Sequence, residues 1–347
     1  MVFVWIITGL VLFFFVADYA LRSYAKYKIA DLFENVPPFN VVAEAEIPEC
    51  RPLTITTSDG LRLSGGLHLP ERDHPLGLVI FFPELSGNHL MARRYCDALL
   101  TAGYAILGFD FRNQGRSEHQ AGYQPIHWVT EFEMRDVAAV LEYIEADSDL
   151  DSLPLIAFGV SRGGVAAILS GCRYPRIQAV IADSSFGTMS MALNFVDRFV
   201  RYVIPGWLYE LLPDWHIRLA LRQGIAISQH RRNCTYQHIE DESAGISQTP
   251  VLLISGKRDS YVTSHVAQDL QAVIGPNAQL WMVDHAKHNM ARATATAEYD
   301  RRIVSHCAQA LGVPEPPAAG KIAPPAPESS SNSQHAAKTE IAANSVH

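Results

Sequence analysis

The stretch Leu155 to Cys172, LIAFGVSRGGVAAILSGC, constrains the fold of this chain more than any other. A short apolar run, Leu155 to Phe158, leads into Gly159-Val160-Ser161-Arg162-Gly163, and small residues continue from Gly164 to Ser170. The pattern reads as strand, G-x-S-x-G, helix. In that arrangement the serine occupies a strained turn and its Oγ projects above the sheet edge. A β-carbon at either glycine would crowd the neighbouring strand or helix. The first N–H groups of the following helix are free and lie at the positive end of its dipole, where an oxyanion is stabilised.

Strand and helix patterns alternate on both sides of this stretch. Leu53 to Thr57, the turn Ser58-Asp59-Gly60 and the alternating Leu61, Leu63, Leu67 and Leu69 read as a hairpin. Leu78 to Phe82 is a continuous apolar run, as in a strand buried on both faces. The loop PELSGN follows (83–88), then a helix over 89–102 and a strand from Tyr104 to Phe109. Asp110 to Ser117 is a polar loop, and 130–146 is helical. Beyond the elbow, strands are expected at Ala179–Ala182, Val251–Ser255 and Gln279–Val283, with helices over 263–274 and 296–311. The alternation predicts βαβ units and a mostly parallel sheet flanked by helices. Residues 186–245 break the rhythm: Phe195, Phe199, Val203, Trp207, Leu208, Leu211, Leu212 and Trp215 stand among Pro205 and Pro213. That stretch reads as an inserted helical cap.

The N-terminus carries a different signal. Residues 2–17 hold no charge, and extension to Leu21 adds only Asp18. That length is enough to span a bilayer. No Lys or Arg precedes the run and no A-x-A site follows it, which favours a retained single-pass anchor over 1–21 rather than a cleaved signal peptide. Arg22, Lys26 and Lys28 follow directly and predict that the rest of the chain faces the cytoplasm. Trp5, Tyr19 and Tyr24 fit interfacial positions. Residues 22–52 read as a juxtamembrane connector, with Pro37-Pro38 as a break. Because the first strand appears near Leu53, a chain beginning near Asp31 is expected to fold. From Val313 the chain holds six prolines among Ala, Ser, Gln and Asn, and 313–347 is expected to be disordered.

Composition excludes some classes. A formal charge of −8 without a long basic run argues against nucleic-acid binding. The five cysteines are scattered and no C-x-x-C occurs, so the sequence suggests neither a zinc site nor a disulfide framework.

Four segments in order (PELSGN, FDFRNQGRSE, GVSRGG, and LLISGKRDSYV with HAKHN) make the chain resemble the α/β-hydrolase superfamily over roughly 53–311. Within it, the likeness is to the S33-like serine aminopeptidase branch. The resemblance implies an α/β-hydrolase domain over 53–312, with the cap inserted at about 186–245. It also implies acyl transfer: Ser161 attacks a carbonyl, His288 carries the proton, and Asp259 orients His288 and stabilises its cationic form. Backbone N–H groups of Arg162 and Leu85 would hold the oxyanion, and neither a metal nor an organic cofactor is called for. Asp183 ends the preceding strand and is the alternative acid. His285 competes with His288, and the family's small-x-His-Asn loop favours His288. Asp110 and Arg112 match a D-x-R loop that ties the scaffold together. Arg162 is expected to be partly exposed, able to meet an anionic substrate. One departure is Pro83-Glu84 where many relatives carry His-Gly: a carboxylate there opposes an oxyanion unless it points away. The expected function is a membrane-anchored serine hydrolase acting on an ester or thioester of a small or lipid-like acyl substrate. The alternatives are a peptidase or amidase with the same triad, and a non-catalytic membrane-tethered pseudo-hydrolase.

Overall fold

The run Leu78–Phe82 is buried on both faces, and the sheet extends outward from it. The computed structural model describes residues 1–35, 50–200, 209–210 and 212–314. Pro37-Pro38, Val203, Pro205, Trp207, Leu208, Leu211 and the tail from residue 315 lie outside the described residues.

The strands are β1 (Arg51–Thr56), β2 (Arg62–His68), β3 (Leu78–Phe82), β4 (Ala105–Phe109), β5 (Leu155–Val160), β6 (Ile177–Asp183), β7 (Val251–Gly256) and β8 (Ala278–Val283). They form one sheet in the order β1-β2-β4-β3-β5-β6-β7-β8. The β1–β2 and β2–β4 pairs are antiparallel, and the remaining pairs are parallel. The longer helices are α1 (Val2–Glu34), α2 (Ala92–Thr101), α3 (Glu131–Ala146), α4 (Arg162–Arg173), α5 (Thr188–Val200), α6 (Asp214–Arg232), α7 (Ser264–Ile274) and α8 (Thr296–Leu311). Alternation along β3 divides the core. Leu78, Ile80 and Phe82 join the layer filled by α3, α4 and α7, whereas Val79 and Phe81 join the layer filled by α2 and α8. Each such side chain stabilises the fold by about 1.5–3 kcal/mol on burial.

The chain runs from β3 to β4 on one side and returns to β5 on the other, so strand order reverses beside β3. In open α/β sheets the crevice at the carboxyl ends of strands at such a point binds ligands. The elbow after β5, the Leu85 loop after β3, and the loops after β7 and β8 all leave that edge. Helices α5 and α6 intervene between β6 and β7, where the cap is expected.

Helix α1 corrects one expectation. Residues 22–34 are not a connector but the continuation of the apolar helix. No glycine or proline interrupts the chain there, and Leu21, Ala25, Ile29 and Leu32 recur at helical spacing. Residues 1–17 are exposed, but Ala30 and Phe33 are buried. Phe33 stacks on Trp128 with ring centres 4.0 Å apart. The Trp128 indole donates to the Phe33 carbonyl at 2.8 Å. Gly224 of α6 lets α1 approach closely: a β-carbon there would lie 2.5 Å from Ile29 Cγ2. Arg231 pairs with Asp31 at 2.8 Å, and His216 pairs with Asp18. A chain beginning at Asp31 would lose the Ile29 and Ala30 packing and the Asp18 pair.

Candidate active site

Ser161 has φ 52° and ψ −120°, a conformation that side-chain-bearing residues rarely adopt. Such backbone costs on the order of 1–3 kcal/mol and persists only where the surroundings enforce it. Here they do. The Ser161 N–H donates to the Asp183 carbonyl at 2.7 Å, and Gly164 N–H donates to the Ser161 carbonyl at 3.0 Å. A β-carbon on Gly159 would lie 2.2 Å from the Gly163 carbonyl oxygen, and one on Gly163 would lie 2.1 Å from that of Phe82. Only glycine fits at either place, and this is the spacing read from the sequence.

His288 Nε2 lies 3.0 Å from Ser161 Oγ, and His288 Nδ1 lies 2.7 Å from Asp259 Oδ2. The other Asp259 oxygen accepts from Tyr261 N–H at 2.8 Å and Val262 N–H at 2.9 Å. These bonds fix the carboxylate's orientation. Arg258 N–H donates to the Ala286 carbonyl at 2.9 Å, which ties the loop after β7 to the loop after β8. A β-carbon on Gly256 would lie 2.3 Å from that same oxygen. Lys257 pairs with Asp284 at 2.7 Å, away from Asp259. The Tyr261 ring packs 5.6 Å from the His288 ring. The structure therefore brings Ser161, His288 and Asp259 into one hydrogen-bonded chain. His285 is exposed and takes no part.

Asp183 has other partners. It is fully buried and accepts from the Tyr299 hydroxyl at 2.9 Å and from the Ser184 hydroxyl at 2.9 Å. Burial pushes its carboxyl up to about 6, against those two hydrogen bonds.

The loop carrying Leu85 leaves the sheet beside the elbow, because Phe82 pairs with Gly159. Among the described residues, no acceptor bonds the N–H of Leu85 or of Arg162. The next N–H, on Ser86, donates to Gln114 Oε1 at 2.7 Å. Glu84 turns away toward α2, where the Tyr95 hydroxyl donates to it at 3.3 Å. Burial pushes the Glu84 carboxyl up, so its charge is disfavoured.

The Arg162 side chain differs from expectation: it is buried, not partly exposed. Its guanidinium pairs with Glu133 at 2.5 Å, stands over the Phe111 ring at 5.6 Å, and points Nε at the Trp128 carbonyl at 3.4 Å. Burial alone would raise the Glu133 carboxyl, but Arg162, Thr130 and Tyr123 hold it below its ordinary range. Asp110 and Arg112 tie loops together. Asp110 accepts from His89 N–H at 2.5 Å and Arg116 N–H at 2.8 Å. Arg112 pairs with Asp136 at 2.6 Å and Asp59 at 2.8 Å.

His127 was invisible to the sequence reading. It is buried, and its imidazole is held down to about 4, first by burial and then by the charges of Arg162 and His288. It is therefore an uncharged ring near neutral pH. No periodicity or motif marks it; it lies in an irregular loop ahead of α3. Among the described residues, no group of three or more His, Cys, Asp or Glu is placed to hold a metal ion.

Comparison with known proteins gives three results. A family described as "Serine aminopeptidase, S33" matches residues 73–293, well over half of the chain. Among curated proteins, an uncharacterized protein of Mycobacterium tuberculosis is 28% identical over 149 residues, covering 43% of this chain and 50% of that protein. The alpha/beta hydrolase domain-containing protein WAV2 of Arabidopsis thaliana is 27% identical over 158 residues, covering 44% and 48%. These matches span about half the length of each relative. Among solved structures, the esterase Pf2001 of Pyrococcus furiosus superposes with a TM-score of 0.58 at 23% identity, covering 80% of this chain and 100% of that one. The alpha/beta hydrolase GrgF of a Penicillium species gives 0.57 at 13%, covering 76% and 99%.

Proposed function

The chain belongs to the S33 serine aminopeptidase family of α/β hydrolases, and from that premise we propose that it is a membrane-anchored serine hydrolase that cleaves a carboxylic ester or thioester through an acyl-enzyme on Ser161. The observation that carries the reading is the hydrogen-bonded chain from Ser161 Oγ through His288 to Asp259. His288 takes the Ser161 proton as Oγ attacks the carbonyl, and then returns it to the leaving group. Asp259 holds His288 in the tautomer that leaves Nε2 as acceptor, and stabilises the cation once it forms. Charge developing on the carbonyl oxygen meets the N–H groups of Arg162 and Leu85, the first of them at the N-terminus of α4. The Glu84 side chain turns away from that oxygen toward the Tyr95 hydroxyl, and burial disfavours its charge.

A fluorophosphonate probe tests the nucleophile. Labelling should be complete in the wild type and absent in Ser161→Ala with the fold unchanged. Labelling that survives in Ser161→Ala removes Ser161 from its role. Turnover of p-nitrophenyl esters beside aminoacyl amides then separates an esterase from a peptidase.

The exposed apolar half of α1 supports the tether, and Arg22, Lys26 and Lys28 favour a cytoplasmic catalytic domain. Removal of residues 2–17, none of which is buried, should free the protein from membranes and leave hydrolysis of a soluble ester intact. Sedimentation with membranes after that deletion would contradict the tether.

A further inference from the structure

Between α1 and the inserted helices lies a cavity of about 860 Å³. Its walls are mostly apolar, with Leu21, Ile29 and Leu32 of α1, Val196 and Phe199 of α5, and Ile217 of α6. Protein interiors pack closely and leave few voids larger than a water molecule. A chamber of this size instead falls in the ~300–1,000 Å³ range of small-molecule sites. Walls of this kind favour an apolar occupant, because polar groups set against the apolar side chains would go unpaired.

We infer that this cavity binds one linear acyl chain, with Lys28 and Arg198 on its wall meeting the anionic group at the chain's polar end. The inference rests on the hydrolase reading for its consequence, that the chain belongs to the substrate. Three observations select this occupant. The first is position. The unbroken exposed, uncharged run of α1 ends at Ala17, and the cavity's lining begins at Leu21, about one turn further on. Leu21 to Leu32 covers about 16 Å of helix. A tail leaving a bilayer beside α1 would meet this opening first. The second is charge. Lys28 and Arg198 are exposed cations on a mostly apolar lining that also carries Tyr24, Tyr209 and His216, and they match a phosphate or carboxylate. The third is connection to the site. Arg198 Nη1 donates to the Ser260 carbonyl at 3.0 Å, one residue from Asp259. Phe199 contacts Phe195 at 6.5 Å between ring centres, and Phe195 contacts Trp128 at 6.4 Å. Trp128 in turn meets Arg162 beside Ser161.

The test uses the full chain in nanodiscs and two photoactivatable probes: palmitate bearing a terminal diazirine, and a phosphatidylcholine bearing the same group on one chain. Irradiation of the Ser161→Ala protein should place adducts on peptides containing Leu32, Phe199 or Ile217. Ala220→Trp and Ala25→Phe fill the cavity from different helices, and each should cut that yield at least tenfold. Their melting curves identify a variant that fails to fold, and the other then carries the test. Adducts from both probes assign the cavity to a membrane lipid; adducts from palmitate alone assign it to a free fatty acid. Adducts confined to residues 2–17, or a yield unchanged in the filled variants, overturn the inference. In the same variants, kcat/KM for p-nitrophenyl decanoate relative to the butyrate ester should fall about tenfold, and an unchanged ratio also overturns it. Absence of butyrate hydrolysis in the wild type would instead defeat the hydrolase reading, and photolabelling would still decide the cavity.

Discussion

Two aspartates stand at the carboxyl ends of neighbouring parallel strands, Asp183 as the last residue of β6 and Asp259 three residues after β7, yet the two carboxylates have different surroundings. Asp259 faces His288 with one oxygen and two backbone N–H groups with the other. Asp183 faces the hydroxyls of Tyr299 and Ser184 instead. Position on the sheet edge does not separate them. The difference lies in what each loop does next. After β7 the chain turns so that Tyr261 and Val262 present their N–H groups. After β6, Ser184 takes φ 55° and α8 supplies Tyr299 from behind the sheet. Asp183 is still coupled to the site. Its carbonyl holds the elbow through Ser161 N–H, and Ser184 Oγ accepts the N–H of Asn289, the residue after His288, at 3.1 Å. One aspartate orients the histidine directly; the other braces the loops around it.

The largest expected effect separates the two. Asp259→Asn should lower kcat on a short ester by about 10²–10⁴-fold, because the amide neither stabilises the imidazolium nor enforces the productive tautomer. Asp183→Asn should cost less than about tenfold, since it removes no bond to His288. Steady-state kinetics on the two purified variants decide this, and the reverse ranking would exchange the roles of the two loops.

Much of this arrangement was legible in the sequence because steric demands leave few choices. The elbow glycines announce themselves: each faces backbone atoms at distances no β-carbon tolerates. Apolar runs such as Leu78–Phe82 announce buried strands for a similar reason. The pairing of Ser161, Asp259 and His288 came from resemblance to a family, since nothing local at Asp259 distinguishes it from Asp183. What escaped the reading depends on distant contacts. The second half of α1 looked like a connector because Arg22, Lys26, Lys28 and Asp31 dilute its apolar stripe, and its partners Trp128 and Gly224 lie far along the chain. Arg162 looked partly exposed because its partner Glu133 is on another helix. A usable signal was present there: Thr130-x-x-Glu133 has the spacing of a capping box, and that box forms. The same carboxylate caps α3 and neutralises Arg162.

The next contrast is in pH dependence. The Asp183 carboxyl is raised to about 6 in the fold, above its ordinary 3.8, with burial as the largest cause. The folded state thus holds this proton more tightly than the unfolded chain does. The resulting stability is fully present below about pH 4 and is lost as pH rises through 6. At 1.36 kcal/mol per unit the loss amounts to about 3 kcal/mol at most. His127 and His306 act in the opposite sense. Burial holds each down to about 4, so their contribution is present above 6.5 and is lost as pH falls toward 4. In the wild type these slopes oppose one another between pH 4 and 6.5. Asp183→Asn removes one of them, so its stability should climb more steeply with pH over that window than the wild type's. Urea denaturation at a series of pH values measures both curves. Parallel curves would mean that Asp183 stays ionised throughout, and the contrast with Asp259 would narrow to geometry alone.

Ser184→Ala gives the smallest effect and the finest test of the bracing role. The substitution deletes a hydroxyl that donates to Asp183 and accepts from Asn289, and it leaves the bond between His288 and Asp259 in place. A hydrogen bond of this kind contributes about 0.5–1.5 kcal/mol net. If that loss falls wholly on the placement of His288, kcat drops by about 2- to 12-fold. KM should not move, because the deleted bonds lie behind the histidine. A kcat indistinguishable from the wild type would confine that loop to holding the fold.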